Sequence, residues 1–132
     1  MSRCRVSALL ATVLLACAGP AAAFVASNSM LVTPGGGTTF TVEYRSSKAD
    51  PDYWCAAADY VIGPLRQSRA VTIYRISPPP RARGAGITFS LSPQGAASST
   101  GMVVLGGPGG GGMSASLAET YCRKNGRRSL FQ

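Results

Sequence analysis

The reading of one stretch, "DPDYWCAAADYVIGPL" at residues 50–65, decides the fold. Asp50 suits a helix N-cap, Pro51 the first helical position, and Asp52 the first turn, where the positive end of the helix dipole favours an acid. Trp54, Ala57, Ala58, Val61 and Leu65 then recur at helical spacing, and Gly63-Pro64 ends the run. Ala56, Ala57 and Ala58 let such a helix approach a sheet closely. Cys55 lies one step of about 100° from Trp54, at the margin of the apolar stripe.

Three roles compete for Cys55: attacking thiol, metal ligand, or half of a disulfide. A zinc site needs about four Cys, His or carboxylate ligands, and the chain has no histidine. A reactive thiol needs a lowered pKa, usually from a histidine or a Cys-x-x-Cys arrangement, and neither is present. The disulfide has a partner in Cys122. That residue sits in a second helical pattern, where Ser116 and Glu119 fit a capping box and Leu117 and Tyr121 share a face. Arg123 and Lys124 complement the negative helix end, and Gly126 is a stop signal. A Cys55–Cys122 bond would tie this short helix to the first one, and no metal is expected.

The N-terminus supports an oxidising destination. Arg3 and Arg5 precede an apolar run from Val6 to Ala16, Gly19-Pro20 breaks it, and Ala21-Ala22-Ala23 offers small residues for cleavage. Residues 1–23 are expected to be a signal peptide and residues 24–132 a single secreted or periplasmic domain. Two alternatives remain. Leu14-Leu15-Ala16-Cys17 resembles a lipobox with Cys17 as the acylated residue. Uncleaved, Val6 to Val25 would just span a bilayer.

Thirteen Lys plus Arg against five Asp plus Glu give a formal net charge of +8. Losing Arg3 and Arg5 with the leader lowers it to +6. This balance favours an acidic protein, a polysaccharide or an anionic membrane surface; the bland reading is a solubility device. The candidate binding residues form two clusters. Arg81 and Arg83 ride on "SPPPRARGAG", residues 77–86. Arg123, Lys124, Arg127 and Arg128 lie near the end of the chain. Guanidinium forks suit carboxylate, sulfate and phosphate oxygens, but neither cluster interleaves the aromatics of a stacking platform.

"TTFTVEYR", residues 38–45, alternates as a half-buried strand with Phe40, Val42 and Tyr44 on one face. Gly35-Gly36-Gly37 turns it back to an earlier strand near residues 29–33. "RAVTIYRI", residues 69–76, is β-rich with no decisive pattern, and "ITFSL", residues 87–91, alternates well; a long-looped hairpin is expected to join them. Met102 to Leu105 reads as a short apolar strand. Gly106 to Gly112 reads as a flexible linker. "GPGGGGMS", residues 107–114, approaches the phosphate-cradling P-loop pattern, but Met113 stands where the lysine is required. No nucleotide or other cofactor is expected. The backbone N–H groups near residues 114–116 remain a candidate anion cradle.

Acid–base chemistry without histidine would fall on carboxylates and tyrosines. Asp59 alone has no evident local duty, so a small hydrolase using Asp59 and a tyrosine is the enzymatic alternative. "DYWCAAADYVIG", with the downstream "IYRISPPP" and "GITFSL", resembles small exported hypothetical proteins of marine and photosynthetic alphaproteobacteria over residues 38–92. The resemblance implies a bacterial envelope setting and no activity. Taken together, the expectation is an α+β fold: an antiparallel sheet of three to five strands, two short helices on one face, and one disulfide. The expected function is a non-enzymatic envelope binding or structural module. The alternative is an inhibitor-like protein that inserts the Pro78–Arg83 loop into an enzyme cleft.

Overall fold

The computed structural model describes residues 22–125. Six strands form one sheet: β1 (Phe24–Val25), β2 (Leu31–Pro34), β3 (Thr39–Val42), β4 (Thr72–Arg75), β5 (Ile87–Ser90) and β6 (Gly112–Ser114). Two helices accompany the sheet among the described residues, α1 (Asp50–Ile62) and α2 (Ala115–Asn125). The sheet order is β1-β2-β3-β5-β4-β6, and every pairing is antiparallel.

The α+β class and the antiparallel sheet match the sequence reading, but six strands exceed the three to five expected. The two unforeseen strands, β1 and β6, have two and three residues. Such short segments carry no periodicity, and only pairing with β2 and β4 makes them strands. The strand expected at Met102 to Leu105 does not form. That segment is irregular, and β6 forms instead from Gly112, the last residue of the expected glycine linker, and the two residues after it.

Register explains the core. Phe40 lies opposite Phe89, Val42 opposite Ile87 and Val32, and Ile73 opposite Met113, all of them buried. Strand periodicity puts these side chains on one face, where they join Tyr53, Trp54, Tyr60 and Val61 of α1 in a single cluster. Trp54 meets Phe89 edge-on at 4.8 Å, and Phe40 lies between Tyr60 at 4.8 Å and Phe89 at 5.8 Å. Each such side chain contributes roughly 1.5–3 kcal/mol by leaving water. Alternate positions bear hydroxyls: Thr41 and Thr88 meet at 3.0 Å across β3 and β5.

Helix α1 is buried almost all round, beyond the single stripe read from its sequence. It packs against α2 as well as touching β2 and β3, so Cys55 and Ala56 are covered along with Trp54. The first helix also starts differently. Ala49, not Asp50, is the extended N-cap residue, with φ −100° and ψ 168°. Alanine has no side-chain acceptor, so only the reciprocal half of a capping box forms: Asp52 Oδ2 accepts the Ala49 N–H at 2.9 Å. Asp50 is thereby left for another partner.

At α2 the expected Ser116–Glu119 box is replaced. Ser114 Oγ accepts the Leu117 N–H at 3.3 Å, and Glu119 pairs instead with Arg69. The disulfide joins Cys55 to Cys122 with Cα atoms 4.9 Å apart and a sequence separation of 67. Closing a loop of that length contributes about 4 kcal/mol on the chain-entropy model.

Candidate functional site

The strands place one arginine where the hydrophobic pattern predicts an aliphatic residue. Ile73 and Arg75 share a face of β4, and Arg75 lies opposite Phe89. Its side chain is therefore driven into the core, and the residue is 0% exposed. A buried guanidinium needs partners for its N–H groups. Nε donates to Ser77 O at 2.7 Å, and Nη1 donates to Asp50 Oδ2 at 2.8 Å and Thr100 O at 3.0 Å. Thr100 O also accepts from Trp54 Nε1 at 3.2 Å. One carbonyl thus ties the β5–β6 connection to both α1 and β4.

Backbone bonds pin the same connection: the Ala97 N–H donates to Arg75 O at 2.8 Å, and the Arg75 N–H donates to Gly111 O at 2.9 Å. Gly101 passes directly over the ion pair with φ +77°. A Cβ there would stand 2.5 Å from Arg75 Nη1 and 2.8 Å from Asp50 Oδ2. Only glycine fits both the left-handed backbone and the space.

The proline loop is braced by a second arginine. Arg81 Nη1 donates to Ala85 O at 2.9 Å, Nη2 reaches Lys48 O at 3.5 Å, and Nε lies 3.9 Å from Asp50 Oδ1. Its guanidinium stands over the rings of Tyr53 at 4.8 Å and Tyr44 at 5.5 Å, a cation–π arrangement. Between this loop and the β5–β6 connection opens a pocket of about 690 Å³, lined by Asp50, Pro79, Pro80, Arg81, Gly101, Met102 and Val103.

The expected binding residues therefore separate. Arg81 is engaged within the fold, whereas Arg83 and Arg123 are exposed. The Lys124 side chain, Arg127, Arg128, Cys17 and nearly all of the leader lie outside the described residues. The anion cradle expected near residues 114–116 is filled from within. Ala115 N–H donates to Val71 O and Ser116 N–H to Arg69 O, both at 2.8 Å. Those donors are satisfied by chain ahead of β4.

Asp59 has a local duty after all: its Oδ2 accepts the Ser27 N–H at 2.7 Å. Its other oxygen lies 3.9 Å from Cys122 Sγ, and the Cys55, Asp59 and Cys122 donor atoms all fall within 4.8 Å of one another. The sulfurs are bonded to each other, which removes the two thiolates that zinc would take.

Sequence reasoning missed Arg75 and Gly101. A charged residue at an inward strand position was the available signal for Arg75, and it is legible only once the parity of β4 is known. No family model, curated protein or solved structure matches this chain.

Proposed function

We propose that the protein is a non-enzymatic binding module of the bacterial envelope, exported and disulfide-tied, that contacts an acidic surface through Arg83 and the basic C-terminal segment. The observation that carries this reading is the contrast between two arginines two residues apart. Arg81 is locked by two carbonyls, two rings and Asp50, while Arg83 is left exposed on the loop so braced. Holding a cation on a fixed loop lowers the ordering cost of binding. The carboxylates support the same reading, since Asp50, Asp52, Asp59 and Glu119 each hold structural hydrogen bonds. The disulfide agrees with an oxidising compartment.

The test is elution from heparin against a salt gradient, with Arg83, Arg127 and Arg128 changed to serine together. Arg81 stays intact because its loss would disturb the loop itself. Salt-sensitive retention that collapses in the triple variant is the expected result; equal retention of both proteins overturns the reading.

The braced loop also favours a second reading, an inhibitor that presents Pro78 to Arg83 to an enzyme cleft. It predicts one tight stoichiometric partner in place of general polyanion affinity.

A further inference from the structure

The β5–β6 connection carries no charged residue from Ser92 to Gly112. Its middle is aliphatic, and alternate side chains diverge. Met102 and Val104 pack on the core cluster, whereas Val103 is 89% exposed and Leu105 90%, more than any other large hydrophobic among the described residues. Soluble surfaces tolerate single exposed aliphatics, but these two stand out from one loop, side by side in alternation. The loop is anchored behind them at Thr100 and ahead of them at Gly111, so they project from a tethered segment.

Val103 lines the same pocket as Arg81, and Arg83 follows two residues later, exposed. An aliphatic pair on the connection that lines this pocket opposite the arginine-bearing proline loop, on a domain of net charge +6 once Arg3 and Arg5 are lost with the expected leader, is complementary to a negative surface with an apolar layer beneath it. That is the chemistry of an anionic bilayer. A sulfated or carboxylated polysaccharide would satisfy the arginine and leave Val103 and Leu105 in water.

We propose that Val103 and Leu105 form a wedge that enters the interfacial layer of an anionic membrane while Arg83 pairs with headgroup phosphates. This inference rests on the acidic-surface reading and names the surface. Among the described residues no helix is long and apolar enough to cross a membrane, and the wedge would hold the domain at the surface. Shallow burial of the pair is worth roughly tenfold in affinity, and one arginine near the surface about fivefold.

The experiment uses the full chain as the expressing cell processes it. It is sedimented with vesicles of mixed phosphatidylglycerol and phosphatidylcholine, or of phosphatidylcholine alone. Wild type should prefer the anionic vesicles. Val103→Ser with Leu105→Ser should weaken that binding about tenfold with unchanged heparin elution and unchanged melting temperature, and Arg83→Ser should weaken both vesicle and heparin binding. Three results would overturn the wedge and leave the acidic-surface reading standing. These are wild-type affinity in the double serine variant, equal affinity for neutral and anionic vesicles, and retention on heparin without retention on vesicles. Failure of wild type to bind either heparin or anionic vesicles would overturn both.

Discussion

Arg75 Nη1 and Asp50 Oδ2 meet at 2.8 Å and join the last residue of β4 to the first residue of α1. The arginine is fully buried, while the carboxylate keeps 24% of its side-chain surface. Two features of the chain make the pairing possible. Asp52 takes over the capping of α1, which releases Asp50. Gly101 leaves room for the β5–β6 connection to close over the pair and offer the neighbouring Thr100 carbonyl. Asp50 and Gly101 line the loop pocket, so the ion pair ties that lining to the sheet through Arg75.

Removing one partner of such a pair strands the other. Arg75→Met should cost about 3 kcal/mol of unfolding free energy, the lower end for a buried pair because Asp50 retains some water. Asp50→Asn should cost less, since asparagine still offers an oxygen to Nη1. The double variant should be more stable than the sum of the two single losses predicts, a coupling that urea denaturation of all four proteins would measure. Strict additivity would mean the pair makes no joint contribution.

Glycine at 101 serves both backbone and space, and a control separates them. Gly101→Ala should lose about 1–2 kcal/mol for left-handed alanine, with a further loss as the Cβ displaces the ion pair. Gly106 has φ +71°, but a Cβ added there would meet nothing within 4 Å, so Gly106→Ala should show the backbone cost alone. Equal melting temperatures for the two variants would refute the steric part of the argument.

Where local physics decides an element, the sequence was enough. The spacing of Trp54, Ala57, Ala58 and Val61 with a Gly-Pro stop predicts α1, and two cysteines at helix margins predict the bond between them. Elements and contacts that depend on distant chain were hidden. β6 is three residues of glycine, methionine and serine that become a strand by pairing with β4. Arg75 finds its acid 25 residues away. Arg81 and Arg83 read alike within "RAR", and only the positions of Tyr44, Tyr53, Lys48 and Ala85 make one a brace and the other a displayed charge.

The disulfide should matter most for the second helix. Cys55→Ser with Cys122→Ser should lower stability by about 4 kcal/mol, the loop-closure contribution, less any residual order in the unfolded chain. Native-state hydrogen exchange should report faster opening in residues 115–125 than in β3 and β5, because α2 is anchored by that bond while the central strands are paired on both sides. Uniform acceleration across the domain would mean that the bond stabilises the fold as a whole, with no special hold on α2.

Acid should loosen the same helix through a different contact. Arg69 donates to both oxygens of Glu119, at 2.9 and 3.1 Å, and these hydrogen bonds hold the Glu119 carboxyl below its ordinary value of 4.5 against the opposing effect of its partial burial. The same bonds raise Arg69 above its own ordinary value, so it keeps its charge at any working pH. A carboxyl depressed by folding contributes stability that is complete above its unfolded pKa and disappears as pH falls through the folded one. Glu119→Gln should therefore be slightly less stable than wild type at about pH 6, and the gap should close on acidification to about pH 3. The pair is solvent-exposed on the arginine side, so the gap should also shrink in high salt. Melting curves across that pH range, with and without added salt, would test it; parallel curves for the two proteins would assign the contact no part in acid stability.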